Sequence, residues 1–209
     1  RIMKIYLVRH GETDWNNEKR LQGWADISLN AKGVKEAEEV AEKLKNVHFD
    51  DAFCSDLERA EVTAETILKG RDIEVQMDPR LRELGFGPLE GTLYNDARTD
   101  ESQPLHELFV HPDKYVPEFG GEPLNYLSAR AEAFQLSTLD MIQAKNPDAT
   151  ILVVSHGIFI RDMLTRVGGF SYDDFWKLPV GNCSIAVLSY DGKQLKIEEM
   201  GEKVTEWLV

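Results

Sequence analysis

The sequence predicts an α/β protein. It is a three-layer sandwich with a mostly parallel central sheet, helices on both faces and a partly helical lid inserted in the chain. Three observations predict it. Short apolar runs alternate along the chain with segments whose apolar residues recur at helical spacing. Strands separated by helices return to the same edge of a sheet and pair in parallel. The alternation breaks once, over residues 86–126, where prolines and glycines replace periodicity.

Each element has a local cause. Ile5 to Val8 is a continuous apolar run, as expected of a strand covered on both faces. Val34, Ala37, Val40, Ala41 and Leu44 repeat at helical spacing. Asp51 to Cys54 reads as a second short strand. Ser55-Asp56-Leu57-Glu58 then has the form of a capping box, predicting a helix from Ser55 to about Leu68. Ile73 to Met77 reads as an edge strand before Pro79. Leu127, Ala131, Phe134, Met141 and Ile142 mark one long helix ending near Pro147. Ile151 to Val154 is the most apolar strand. The helix of Phe159, Ile160, Met163, Leu164 and Val167 follows, closed by Gly168-Gly169. Asp191-Gly192, between Ser184–Ser189 and Gln194–Glu199, predicts a hairpin.

The break at 86–126 holds Pro88, Pro104, Pro112, Pro117 and Pro123 with Gly120-Gly121. Its aromatics (Phe86, Tyr94, Phe109, Tyr115, Phe119 and Tyr126) favour a packed insert over an open loop, a lid across the sheet edge.

With 209 residues, 42% of them hydrophobic, the chain can bury one sizeable core, so residues 1–209 are expected to form one domain. The net charge of −13 argues against nucleic acid and anionic membranes as partners. Any anion site must then be a local positive pocket in a negative field. Cys54 and Cys183 lie in or beside apolar runs far apart in sequence and read as free thiols of a reducing compartment, with the cytoplasm as the expected location. The first residues lack the pattern of a secretory signal, and no apolar stretch approaches the ~20 residues of a transmembrane helix. No metal-ligand spacing is evident, so neither a metal nor a cofactor is expected.

Chemistry concentrates at element ends. Arg9-His10-Gly11 follows the first strand, Arg59 falls near the start of the Ser55 helix, Arg82-Glu83 follows the third strand, and Ser155-His156-Gly157 joins the most apolar strand to its helix. Ligands of open α/β sheets bind beyond the carboxyl ends of the strands. Taken singly, either histidine could be a hydrogen-bonded core residue, Arg59 a surface charge beside Glu58 or Glu61, and Glu83 a partner of Arg80 or Arg82. Taken together, two imidazoles, two guanidiniums and a carboxylate at element ends suit a phosphate.

These segments resemble the signatures of the histidine phosphatase, or phosphoglycerate mutase-like, superfamily. Arg9-His10-Gly11-Glu12-Thr13 is similar to its first block, continued by Trp15-Asn16, Leu21-Gln22-Gly23-Trp24-Ala25-Asp26, Leu29 and Gly33. Ser55 to Ala60 with Thr63-Ala64, Leu81-Arg82-Glu83-Leu84 with Phe86-Gly87 and Leu89-Glu90-Gly91, and Val153 to Gly157 resemble the next three. The resemblance implies that His10 is a nucleophile forming a phosphohistidine. Arg9, Arg59 and His156 would hold the phosphoryl oxygens, Glu83 would donate and then accept a proton, and Asn16 with the Gln22-Gly23 backbone would add phosphate contacts. The chemistry is consistent: phosphoryl transfer needs positioning and charge stabilisation above all. His10 needs a partner for its second ring nitrogen, for which the Gly11 carbonyl is a candidate. Glu83 must hold its proton when substrate binds, which burial near a dianion would favour.

The superfamily contains phosphatases and mutases. Residues 86–129 contain two basic residues, Arg98 and Lys114, and eight acids: Glu90, Asp96, Asp100, Glu101, Glu107, Asp113, Glu118 and Glu122. Paired arginines of the kind that grip glycerate in the glycolytic mutases are missing from that stretch. The expected activity is therefore a phosphomonoester hydrolase acting on a small phosphorylated metabolite. A 2,3-bisphosphoglycerate-dependent mutase is the alternative, and a regulatory protein binding phospho-ligands or phosphoproteins a third reading. Gly120-Gly121-Glu122 resembles a loop of the phosphatase members, which makes Glu122 a candidate substrate contact. A second copy of the chain remains a candidate partner.

Overall fold

The computed structural model describes residues 2–201. In chain order the elements are β1 (Met3–Arg9), α1 (Asp14–Glu18), α2 (Ala31–Lys43), β2 (Asp51–Cys54), α3 (Glu58–Ile67), β3 (Gln76–Met77), α4 (His106–Val110), α5 (Leu124–Phe134), α6 (Asp140–Lys145), β4 (Thr150–Ser155), α7 (Gly157–Gly168), β5 (Ile185–Tyr190) and β6 (Leu195–Glu199). The six strands form one sheet in the order β3-β2-β4-β1-β5-β6. The first four pair in parallel, and β5 and β6 add an antiparallel hairpin at the β1 edge.

Alternation along the strands divides the core in two. Val8, Ala52, Cys54, Leu152 and Val154 face α2 and α3 through Val40, Ala60, Ala64 and Ile67. Ile5, Leu7, Phe53, Ile151 and Val153 face the opposite layer, where Leu127, Phe134, Phe159 and Leu164 pack. A period of two places successive side chains on opposite faces, so a strand that is apolar throughout needs a helix layer on each side.

Register sets the site. Arg9 pairs with Ser155 across β1 and β4, and Cys54 with Val154 across β2 and β4. The three strands end level, so Arg9-His10, Ser55 and His156 leave the same edge side by side. The His10 N–H donates to the Ser155 carbonyl at 3.1 Å, and the Ser55 N–H to the Val154 carbonyl at 3.0 Å.

Three elements differ from the sequence reading. The Ser55 capping box does not form: α3 begins at Glu58 after Leu57, which offers no side-chain cap. Ser55 is buried, and its hydroxyl turns to His156. The third strand shrinks to Gln76–Met77, while Ile73 and Val75 lean on the α2–α3 core. The long helix before β4 is broken by a π-helical turn at Gln135–Leu139. That turn rotates the apolar face, so Leu139 and Ile142 are buried while Leu136 and Met141 are exposed. Gly169 closes α7 in the left-handed conformation, as the glycine pair predicts.

Between β3 and α5 the chain runs through short helical turns and α4. It packs against the larger core through Phe86, Tyr94, Leu108, Phe109 and Tyr115, whereas Tyr126 stays exposed. Phe109 stacks on Tyr94 at 5.8 Å and on Trp176 at 4.8 Å between ring centres.

Candidate active site

His10 leaves β1 with its Nδ1 2.7 Å from the Gly11 carbonyl oxygen. A carbonyl only accepts, so Nδ1 carries the proton and Nε2 keeps a lone pair. The His156 ring lies 5.0 Å away, centre to centre. Its Nε2 is 2.8 Å from the Ser55 hydroxyl, and its Nδ1 is buried with no hydrogen-bond partner among the described residues. Ser55 Oγ accepts the Leu57 N–H at 3.3 Å, leaving its own proton for His156 Nε2. Burial, followed by the charges of Arg59 and neighbouring groups, holds both imidazoles well below the usual histidine range, so both are neutral at neutral pH.

The two arginines are tethered by backbone carbonyls. Arg9 donates Nη1 to the Val180 carbonyl at 2.7 Å. Arg59 donates Nη1 to Ala25 at 2.6 Å and Nη2 to Gly23 at 2.7 Å. Nε of each is buried and unpartnered among the described residues. Burial lowers the pKa of Arg9 and brings Arg59 down to about 10, still protonated at neutral pH. Gly157 permits this packing: a Cβ there would lie 3.0 Å from Arg9 Cζ.

Glu83 faces the same group from the start of α7. Its Oε2 accepts the Ile158 N–H at 3.0 Å, and its Oε1 accepts those of Phe159 at 3.1 Å and Leu84 at 2.9 Å. The helix N-terminus thereby fixes the carboxylate beside the segment that follows His156, and the charge of Glu83 is felt by Arg9 and Arg59. None of His10, Arg9, Arg59, Glu83 and His156 is more than 4% exposed.

The remaining expected residues are tied into the surrounding hydrogen bonds. The Thr13 hydroxyl donates to Gln22 Oε1 at 2.7 Å, and the Thr13 N–H to Asn16 Oδ1 at 3.1 Å. Both side-chain amides therefore turn their NH2 ends away from Thr13. Gly23 offers a carbonyl to Arg59. Glu122, expected as a substrate contact, is committed elsewhere: its Oε1 takes the Gly85 N–H and Arg130 Nη2, and its Oε2 takes Arg130 Nε. An ion pair of this depth anchors the backbone around Gly85.

Sequence reasoning missed several supports. Arg130 also donates to the carbonyls of Arg80, Arg82 and Glu83, clamping the segment that carries the acid. Asn182 Nδ2 donates to the His10 carbonyl at 3.1 Å. Thr63 accepts the Gly11 N–H and donates to the Arg59 carbonyl. No local pattern marks these residues, since their partners lie far away in sequence. Arg161 did carry a signal, a charge set directly after the apolar run Ile158-Phe159-Ile160.

Neutral imidazoles and bare guanidinium nitrogens gathered at one sheet edge have the chemistry to hold a tetrahedral oxyanion and offer it a nucleophile. The model of the histidine phosphatase superfamily (branch 1) matches residues 5–203. The chain belongs to this superfamily. A probable phosphoglycerate mutase GpmB of Enterobacter sp. is 36% identical over 90% of this chain and 86% of its own. The solved structure of YhfR from Bacillus stearothermophilus superposes with a TM-score of 0.84 at 30% identity, covering 96% of this chain and 97% of its own. Phosphoserine phosphatase from Entamoeba histolytica, solved with 3-phosphoglyceric acid, gives 0.77 at 26% identity over 96% and 97%. Among the described residues, no group of three or more His, Cys, Asp and Glu is placed to hold a metal ion, and no helix is long and apolar enough to cross a membrane.

Proposed function

We propose that the protein hydrolyses small phosphomonoesters through a phosphohistidine on His10. The observation that carries this reading is the convergence of buried, unpartnered nitrogens of Arg9, Arg59 and His156 beside a histidine whose tautomer leaves Nε2 nucleophilic. Nε2 attacks phosphorus as the bond to the leaving oxygen breaks, and Glu83 gives that oxygen a proton. Water then attacks the phosphohistidine in line, Glu83 takes its proton, and inorganic phosphate leaves. Ser55 donates to His156 Nε2, which keeps His156 Nδ1–H as a donor to the phosphoryl oxygens. Residues 86–126 form the lid that shuts out water while the bond breaks. The free thiols Cys54 and Cys183 suit a reducing cytoplasm.

The test is hydrolysis of p-nitrophenyl phosphate. His10→Ala should abolish it, and quenching labelled wild type at alkaline pH should trap phosphate on His10. Normal turnover in that variant overturns the assignment.

The naming of the GpmB relative favours a second reading, a mutase returning the phosphoryl group to glycerate. Incubation with 3-phosphoglycerate, with and without 2,3-bisphosphoglycerate, separates the two: phosphate release without isomerisation supports the hydrolase.

A further inference from the structure

Trp24 has no part in the chemistry above, and with 44% of its surface exposed it is not a core residue either. Its neighbours in sequence hold Arg59. The carbonyls of Gly23 and Ala25 accept the two terminal guanidinium nitrogens at 2.7 and 2.6 Å. The next residue, Asp26, accepts the Glu58 N–H at 2.7 Å with Oδ1, satisfying a free donor at the start of the helix that carries Arg59. The side chain between those carbonyls turns to the acid. Trp24 Nε1 donates to the Glu83 carbonyl at 2.8 Å, and Arg130 Nη2 donates to the same oxygen at 2.8 Å, so both of its lone pairs are engaged.

The indole is fixed in that direction. Arg82 lies over the ring, 5.3 Å from its centre, and is itself held by a two-point bond to Asp56 at 2.7 and 2.8 Å. Gly85 lets the ring approach: a Cβ there would stand 3.1 Å from the indole Cε2. Glu90 Oε2 accepts the N–H groups of Trp24 and Phe86 at 2.8 and 3.1 Å, joining the two backbones a second time. One tripeptide therefore grips a phosphoryl-site guanidinium with its outer carbonyls and the backbone of the acid with its middle side chain.

We infer that Trp24 is a positioning residue whose indole N–H sets where the Glu83 carboxyl stands relative to the phosphoryl group held by Arg59. The inference rests on the phosphomonoesterase reading and adds the part that keeps proton donor and phosphorus in register. A general acid works only within hydrogen-bond reach of the leaving oxygen, and a misplacement of about 1 Å costs much of the rate.

The test is Trp24→Phe, which keeps an aromatic ring and loses the N–H while Glu90 still joins the backbones. β-Glycerophosphate is the ester whose leaving oxygen needs a proton, and p-nitrophenyl phosphate the one whose leaving oxygen does not. Turnover of β-glycerophosphate should fall about five- to thirtyfold in kcat with KM nearly unchanged, the loss of one hydrogen bond. Turnover of p-nitrophenyl phosphate and competitive inhibition by inorganic phosphate should hold within about threefold, because the carbonyls on Arg59 belong to the backbone. Trp24→His should recover part of the loss, since its imidazole overlays the five-membered half of the indole and restores a ring N–H. Equal losses on both esters overturn the inference, as does phosphate inhibition that weakens as much as β-glycerophosphate turnover. Amide hydrogen exchange reads the clamp without turnover: residues 81–86 should exchange faster in Trp24→Phe, and residues 58–64 as in wild type. Unchanged exchange over 81–86 overturns the inference. Faster exchange there, with wild type releasing phosphate from neither ester, would sink the phosphatase reading and leave the clamp standing.

Discussion

Arg130 offers the sharpest check on how the acid is held. Its guanidinium makes five hydrogen bonds: two to Glu122 at 2.7 and 2.8 Å, and three to the carbonyls of Arg80, Arg82 and Glu83 at 2.9, 2.6 and 2.8 Å. The side chains of Arg130 and Glu122 are only 16% and 11% exposed, so solvent screens the pair little. Arg130→Met keeps the aliphatic stem and strands the Glu122 carboxylate with the Gly85 N–H. Breaking one partner of a buried pair costs about 3–5 kcal/mol. For a chain of this size each kcal/mol lowers the melting temperature by roughly 2–4 °C, which gives a fall of about 6–20 °C. Loosening the Glu83 segment should also depress kcat for poor leaving groups such as alkyl phosphates more than for p-nitrophenyl phosphate, whose leaving oxygen needs no proton. Arg130→Met/Glu122→Met should recover part of the stability, because the stranded charge is gone. A melting temperature within about 2 °C of wild type by differential scanning calorimetry, with the leaving-group dependence unchanged, would refute the clamp.

Three further outcomes are expected. Ser55→Ala removes the hydroxyl that orients His156 and should lower kcat/KM by about five- to thirtyfold while the fold melts nearly as before, one hydrogen bond to an imidazole proposed to hold the phosphoryl group being lost; an unaltered rate would show that Ser55 does not set the His156 tautomer. Gly157→Ala places a methyl 3.0 Å from Arg9 Cζ and Arg161 Nη1, and vanadate inhibition should weaken by about tenfold or more as Arg9 shifts; unchanged inhibition would mean that Arg9 gives way at no cost to the anion. The buried imidazoles of His10 and His156 bind protons less readily folded than unfolded. Acid therefore favours the unfolded chain: stability is complete above about pH 6.5 and falls below it by up to roughly 1.4 kcal/mol per pH unit for each histidine. Chemical denaturation between about pH 7.5 and 5 should show that slope, reduced in His156→Gln, and an identical slope in the variant would remove His156 as its source.

Much was legible because it is local. The apolar runs of β1 and β4, the helical spacing of α2 and α7, the Asp191-Gly192 hairpin and the Arg9-His10-Gly11 and Ser155-His156-Gly157 exits are each determined by neighbours in sequence. The His10 partner was foreseeable for the same reason, since Gly11 is the next residue. What tertiary structure alone decided involves partners far apart. Ser55 has the letters of a helix cap and serves His156, 101 positions away. Glu122 reads as a ligand contact and is claimed by Arg130. The carbonyls that orient Arg9 and Arg59 lie 171 and 36 positions from them. Periodicity and turn chemistry report short-range backbone energetics. Which buried donor meets which acceptor is settled by strand register and helix packing, and a one-residue slip in either would exchange every partner without altering a letter of the local pattern.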